Sequence, residues 1–201
     1  MKYFSNIIKE ISELKHKDPN YIRFGALSHK YTFQDKLDEV EVISFEEKIE
    51  VRLPDDYREF IINIGNGGAG PCYGIQKVDL LNPTDFRLTN NANLVLDKPF
   101  THINDEWNEE WVMSFDWEND RPDDILLENY WDTKHISGAI PICHYGHGDA
   151  YLLIINGYDK GRIWFDGRGN YSGLFPELIK GNKVTFSEWY LSWLTEILNS
   201  T

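Results

Sequence analysis

Cysteine is scarce in this chain. The two present among 201 residues, Cys72 and Cys143, exclude a disulfide framework and suit a reducing cytoplasm. No run approaches the ~20 apolar residues that a bilayer-spanning helix needs. The opening Met1-Lys2-Tyr3-Phe4-Ser5-Asn6 lacks the apolar stretch of a secretory signal. Repeats and low-complexity segments are missing as well. Bases are the other shortage: 20 Lys and Arg face 33 Asp and Glu, a net charge of −13. That balance repels nucleic-acid phosphates and anionic membranes, so neither is expected as a direct ligand. What is present, 41% hydrophobic and 26% charged residues, is ordinary globular usage and enough for one sizeable core.

The charge is concentrated. Eleven of the acids lie between Asp105 and Asp132, opposed there by Arg121 alone, and four of the seven tryptophans share the same window. A disordered acidic tail would be poor in aromatics, so the segment is expected to fold onto the body. Two readings stand for its residues. Trp107, Trp111, Trp117 and Trp131, with Glu109, Glu110, Asp116, Glu118, Asp120, Asp123 and Asp124, form a surface for a cationic partner. Alternatively the indoles are core and the carboxylates their solvated outer face.

Apolar periodicity gives the outline of an α+β domain with helices at both chain ends and a mostly antiparallel central sheet. Residues 3–17 place Phe4, Ile7, Ile8, Ile11 and Leu14 at helical spacing. Ser44-Phe45-Glu46-Glu47 has the form of a capping box opening a short helix to about Glu50. Leu53-Pro54 opens another, which carries Tyr57, Phe60, Ile61 and Ile64 on one face and stops at Gly65. Gly74–Val78 reads as the first strand and Ala139–His144 as a later one. The hairpin 151–166 pairs Tyr151–Ile155 with Arg162–Phe165 across a loop of about six residues. Residues 185–198 close the chain as a helix burying Phe186, Trp189, Tyr190, Trp193, Leu194 and Ile197. The polar middle, 82–138, has no assignable pattern.

Chemistry-bearing motifs fail on context. Gly65, Gly67 and Gly70 spell G-x-G-x-x-G, but after a helix and before Pro71 rather than between strand and helix. His144, His147 and Asp149 have metal-ligand character without the usual H-E-x-x-H or C-x-x-C partners. They read as turn residues between strands, and Cys143 and His144, as neighbours in a strand, point to opposite faces. No catalytic, cofactor or metal site is expected, and an enzyme built on Cys143, His144 and His147 is the least supported class.

Leu53-Pro54-Asp55-Asp56-Tyr57-Arg58-Glu59-Phe60, followed by Gly65-Asn66-Gly67-Gly68-Ala69-Gly70-Pro71 and Tyr73-Gly74, resembles the signature of the SUKH superfamily. The nearest branch is its Smi/Knr-like (cell-wall assembly regulator) domain. Phe24-Gly25-Ala26 with His29 and Tyr31, the hairpin with Gly157, Gly161 and Trp164, and the closing helix with Trp189 and Trp193 are similar to its other segments. Gly146-His147-Gly148 departs from it, standing where many members carry a Gly-Cys pair. The resemblance implies an α+β binding module with no enzymatic activity and no cofactor. Bacterial members are immunity proteins that bind and inhibit a toxin domain, often a nuclease; fungal members regulate cell-wall synthesis. Two functions follow as expectations: a cytoplasmic antitoxin whose acidic, Trp-rich segment occludes a basic cognate toxin, or a regulatory scaffold for housekeeping partners.

Overall fold

The computed structural model describes residues 2–79, 94–103 and 106–200. Its helical layer begins with α1 (Ile7–Lys17), which buries Ile7, Ile11 and Leu14, with Phe4 just before it; Ile8 of the expected stripe faces solvent. The single-turn α2 (Ala26–His29) and then α3 (Glu39–Ile49) follow. The capping box of α3 is not at Ser44. Asp38 accepts from the Glu41 amide while the Glu41 carboxylate accepts from the Asp38 amide, so the helix starts at Glu39 and Ser44 lies inside it. The earlier box prevails because a helix begun there carries Val42, Phe45 and Ile49 into the core as one stripe.

Helix α4 (Asp55–Asn63) lies against the closing helix α7 (Phe186–Asn199), whose own capping box pairs Thr185 with Glu188. Asp56 ties the two together, accepting the Ser187 amide at 2.8 Å. Between them Phe4, Phe60 and Phe186 pack edge-to-face with centroids 5.2–6.1 Å apart, and Tyr57 meets Phe186 at 5.0 Å. Leu53, Tyr57, Phe60, Trp164 and Trp189 of the sequence signature are all core, while Trp193 is half-buried at the edge of α7.

The sheet is an antiparallel meander, β1 (Ala139–Gly146), β2 (Asp149–Ile154), β3 (Ile163–Asp166) and β4 (Leu174–Pro176), in chain order. Eight residues, 155–162, separate β2 from β3, two more than expected, because Ile155 and Arg162 fall outside the ladder. A small ribbon of β5 (Leu178–Ile179) and β6 (Asn182–Lys183) follows. Gly74–Val78 is no strand. Ile75 alone bridges to Cys143 and to Gly68, which in turn bridges Phe33. Gly74 turns at φ +96°, and Asn66 holds Val78 instead, accepting its amide at 2.9 Å and donating to its carbonyl at 3.1 Å. These single bridges cover the β1 edge that would otherwise stay open.

The glycine segment is structural. The amides of residues 65 through 69 are all bonded, to carbonyls of Phe60, Asp35, Gly65, Ile75 and Thr32, so these five form no cradle of free N–H groups for a phosphate. Tyr190 Oη donates to the Ala69 carbonyl at 2.7 Å and pins the loop to α7. Pro71 ends the loop, and its carbonyl accepts from the Cys143 thiol at 3.1 Å. Gly67 and Gly68 have φ of +100° and +107°, and a Cβ on Gly68 would stand 2.3 Å from the Thr32 carbonyl oxygen. Gly67→Val is expected to cost roughly 1–3 kcal/mol through backbone strain. Gly68→Val should cost more, since its Cβ clash is the closer one, 2.3 Å against 2.9 Å from the Ile75 carbonyl oxygen at Gly67. Urea unfolding of both variants checks the order; equal, small losses would contradict it.

Two buried polar groups meet at Tyr31. Asp18 accepts from Tyr31 Oη at 2.7 Å and from the Ile22 and Arg23 amides; burial opposes its ionisation, but these bonds hold its pKa below the usual value. His29 accepts the Tyr31 amide through Nδ1, its Nε2 has no hydrogen-bond partner among the described residues, and burial pushes its pKa down to about 4. The unfolded chain therefore takes up a proton near pH 6.5 that the fold refuses until about pH 4, so stability must fall as pH drops through that window. His102 and His135 are depressed in the same sense, chiefly by burial, and Asp149 and Glu177, raised by burial, act oppositely. For His29 the loss is roughly 2–3 kcal/mol. A His29→Gln variant should show a flatter stability profile between pH 6.5 and 4; an unchanged slope would refute the assignment.

Candidate functional site

The acidic segment folds onto the outer edge of the sheet, as its aromatic content requires. Trp107 and Leu174 exchange both backbone hydrogen bonds at 2.7 Å, a single antiparallel bridge beyond β4. Gly173 permits this approach, because a Cβ there would meet the Trp107 carbonyl at 2.1 Å. Asn108 donates to the Tyr171 carbonyl and accepts from Tyr130 Oη. From there the chain forms α5 (Glu110–Ser114), α6 (Asp124–Trp131) and a 3-10 turn, Thr133–Ile136, which leads into β1.

Arg168 is the clamp. It is buried in the turn after β3, and Asp166 holds its guanidinium through two bonds of 2.8 Å. The remaining Nη1 donates to the carbonyls of Tyr130 and Asp132, at 3.1 and 3.0 Å, where α6 ends. Trp131 Nε1 returns a bond to the Arg168 carbonyl. Pairing with Asp166, and bonds to four of its five N–H donors, are what make a buried guanidinium tolerable here.

The two readings of the tryptophans divide the residues between them. Trp107 is half-buried between Tyr130 and His135, its ring 4.3 Å from the latter, and Trp111 is half-buried against Tyr130 and Phe115. Both serve packing. Trp117 and Trp131 are 44% and 42% exposed, and both lie on Tyr171, with centroids 4.4 and 6.0 Å away. Met113 and Ile125 are exposed beside them in the chain.

Glu110, Asp116, Glu118, Asp120, Asp123, Asp124 and Glu128 are exposed, Glu109 is half-buried, and Asp105 lies outside the described residues. Trp117, Glu118, Asp120, Arg121, Asp124 and Tyr171 line a groove of about 840 Å³. Two of the carboxylates also shape the backbone. Asp116 accepts from the Asn119 side chain and from the Asn119 and Glu118 amides, which lower its pKa, and Asp123 caps α6 through the Leu126 amide.

The other sequence candidates are not assembled. His147 and Gly148, with φ of +52° and +90°, form the two-residue turn between β1 and β2. His144 is half-buried beside Tyr73, while Asp149 is buried and accepts from Asn170. Among the described residues no group of three or more His, Cys, Asp and Glu side chains could hold a metal ion. Burial raises the Cys143 pKa well above its ordinary value, which keeps it a thiol. No described helix is long and apolar enough to cross a membrane.

Sequence reasoning missed Arg168, Asn108, Tyr130 and Tyr171, the residues that hold the segment. One signal was available: Asp166-Gly167-Arg168, an acid and a base in a glycine turn directly after a buried strand.

No curated protein and no solved structure matches the chain. A family model does, over residues 36–191, a span running from the start of α3 into α7 and enclosing the glycine loop, the acidic segment and the sheet. With its signature helix and glycine loop built as the core of an α+β fold, this chain belongs to the SMI1 / KNR4 family (SUKH-1).

Proposed function

We propose that the protein is an immunity protein, acting in the cytoplasm, which neutralises a cognate toxin domain by binding it and covering its active cleft. The observation that carries this reading is the exposed pair Trp117 and Trp131, seated on Tyr171 and ringed by carboxylates. A nuclease toxin binds phosphates and so presents a cationic cleft. A carboxylate surface with aromatic anchors mimics nucleic acid, is drawn to that cleft at long range, and then excludes water over a small apolar centre. Family membership supports a binding role, and neither a cofactor nor catalysis is needed for it.

The test is co-purification with the C-terminal domain of whatever protein the neighbouring gene encodes, followed by single substitutions. Trp117→Ala or Trp131→Ala should cost about 2 kcal/mol of affinity or more, expressed as faster dissociation. Melting temperatures measured alongside separate lost contact from lost fold. A neighbouring domain that neither binds nor is inhibited would sink the antitoxin reading and favour a regulatory scaffold for housekeeping partners.

A further inference from the structure

A second pocket, of about 530 Å³, lies on the sheet face that meets α7 and shares no lining residue with the groove of the acidic segment. Strand alternation puts Tyr145, Tyr151 and Phe165 on one face, and Tyr151 meets Trp189 of α7 at 5.0 Å. Tyr145, Tyr151, Trp189 and Trp193 make the aromatic walls. Glu177 lies between them, half-buried, and its carboxylate has no hydrogen-bond or ion-pair partner among the described residues. Glu196 and Ser200 stand at the rim, where Ser200 is bonded by Arg23, and no Lys or Arg lines the pocket itself.

A half-buried carboxylate without a counter-charge is costly, and ring faces around it are electron-rich, so the site is complementary to an organic cation. The surroundings say what carries that cation. Phe24 and Tyr145 line the pocket and are exposed, and the exposed Tyr73 adjoins them through Phe24, which lies 5.3 Å from Tyr73 and 5.9 Å from Tyr145. A free small amine would leave this aromatic rim uncovered, whereas a protein surface would cover it. A planar guanidinium stacks on aromatic faces and pairs with a carboxylate at once, which an ammonium does less well.

We propose that this pocket receives an arginine side chain presented by a partner protein, with Glu177 as its counter-ion and Trp193, Tyr145 and Tyr151 as its aromatic walls. The proposal is independent of the antitoxin reading, because it is tested without the toxin. The probe is the blocked peptide acetyl-Gly-Arg-Gly-amide, titrated against the full chain while indole signals are followed by NMR. Saturable shifts are expected at Trp189 and Trp193 and not at Trp117. Replacing the arginine by uncharged citrulline should weaken binding about tenfold or more, and Glu177→Gln should do the same without lowering the melting temperature. Glu196→Gln, at the exposed rim, should weaken it less. The proposal is overturned if the citrulline peptide binds equally, if Glu177→Gln leaves affinity intact, or if no shift saturates. Free arginine binding as tightly as the peptide would overturn it too, since the site would then serve a small solute.

Discussion

Replacing Arg168 by methionine is expected to cost about 3–5 kcal/mol of folding stability and to release the acidic segment from the sheet edge. Methionine keeps much of the volume but removes every donor. Asp166 would then be left buried with no counter-charge, and the carbonyls of Tyr130 and Asp132 would each lose a bond at the end of α6. The cost lies mainly in the orphaned groups rather than in the ion pair itself. An Asp166→Asn, Arg168→Met double variant should therefore recover part of the loss. Urea unfolding reads the stability, and amide hydrogen exchange across α6 reads the release. An Arg168→Met protein with wild-type stability and fully protected α6 amides would show that the segment is held by its aromatic packing alone.

Some of this architecture was legible from residues alone, for physical reasons. Helices α1, α4 and α7 each bury one stripe, and the spacing of Ile7, Ile11 and Leu14, or of Tyr57, Phe60 and Ile61, displays it directly. Strands β2 and β3 are apolar runs bounded by glycine turns. Local signals failed where two of them competed, as at Asp38 and Ser44, or where pairing is a single bridge, as at Ile75. The acidic segment was legible as a concentration of charge and indole, but not in its division into inner and outer tryptophans. That division depends on Tyr171 and His135, side chains no periodicity points to. Asp166-Gly167-Arg168 shows the ion pair in the sequence but not its clamping role, since the carbonyls Arg168 serves lie 38 and 36 residues earlier in the chain.

Neutralising the outer carboxylates with Asp116→Asn, Glu118→Gln, Asp120→Asn, Asp123→Asn and Asp124→Asn is expected to slow association with a cationic partner by about tenfold or more at low salt. Asparagine suits positions 116 and 123, because it preserves the turn at Asn119 and the cap of α6. These exposed side chains hold the rim, so dissociation should change little, in contrast to the loss at Trp117. Screening sets the salt dependence: with a Debye length of about 10 Å at 0.1 M ionic strength and about 3 Å at 1 M, the difference from wild type should collapse as salt rises.

The most direct measurement is therefore the pair of rate constants for the proposed toxin partner, wild type against the five-carboxylate variant, at about 0.05 M and 0.5 M salt. The expected result is a variant that folds as wild type does, associates more slowly at the lower salt, approaches the wild-type rate at the higher, and dissociates almost unchanged. Equal association rates at both salts, in a variant shown to be folded, would contradict it and leave the acidic segment as solvated surface.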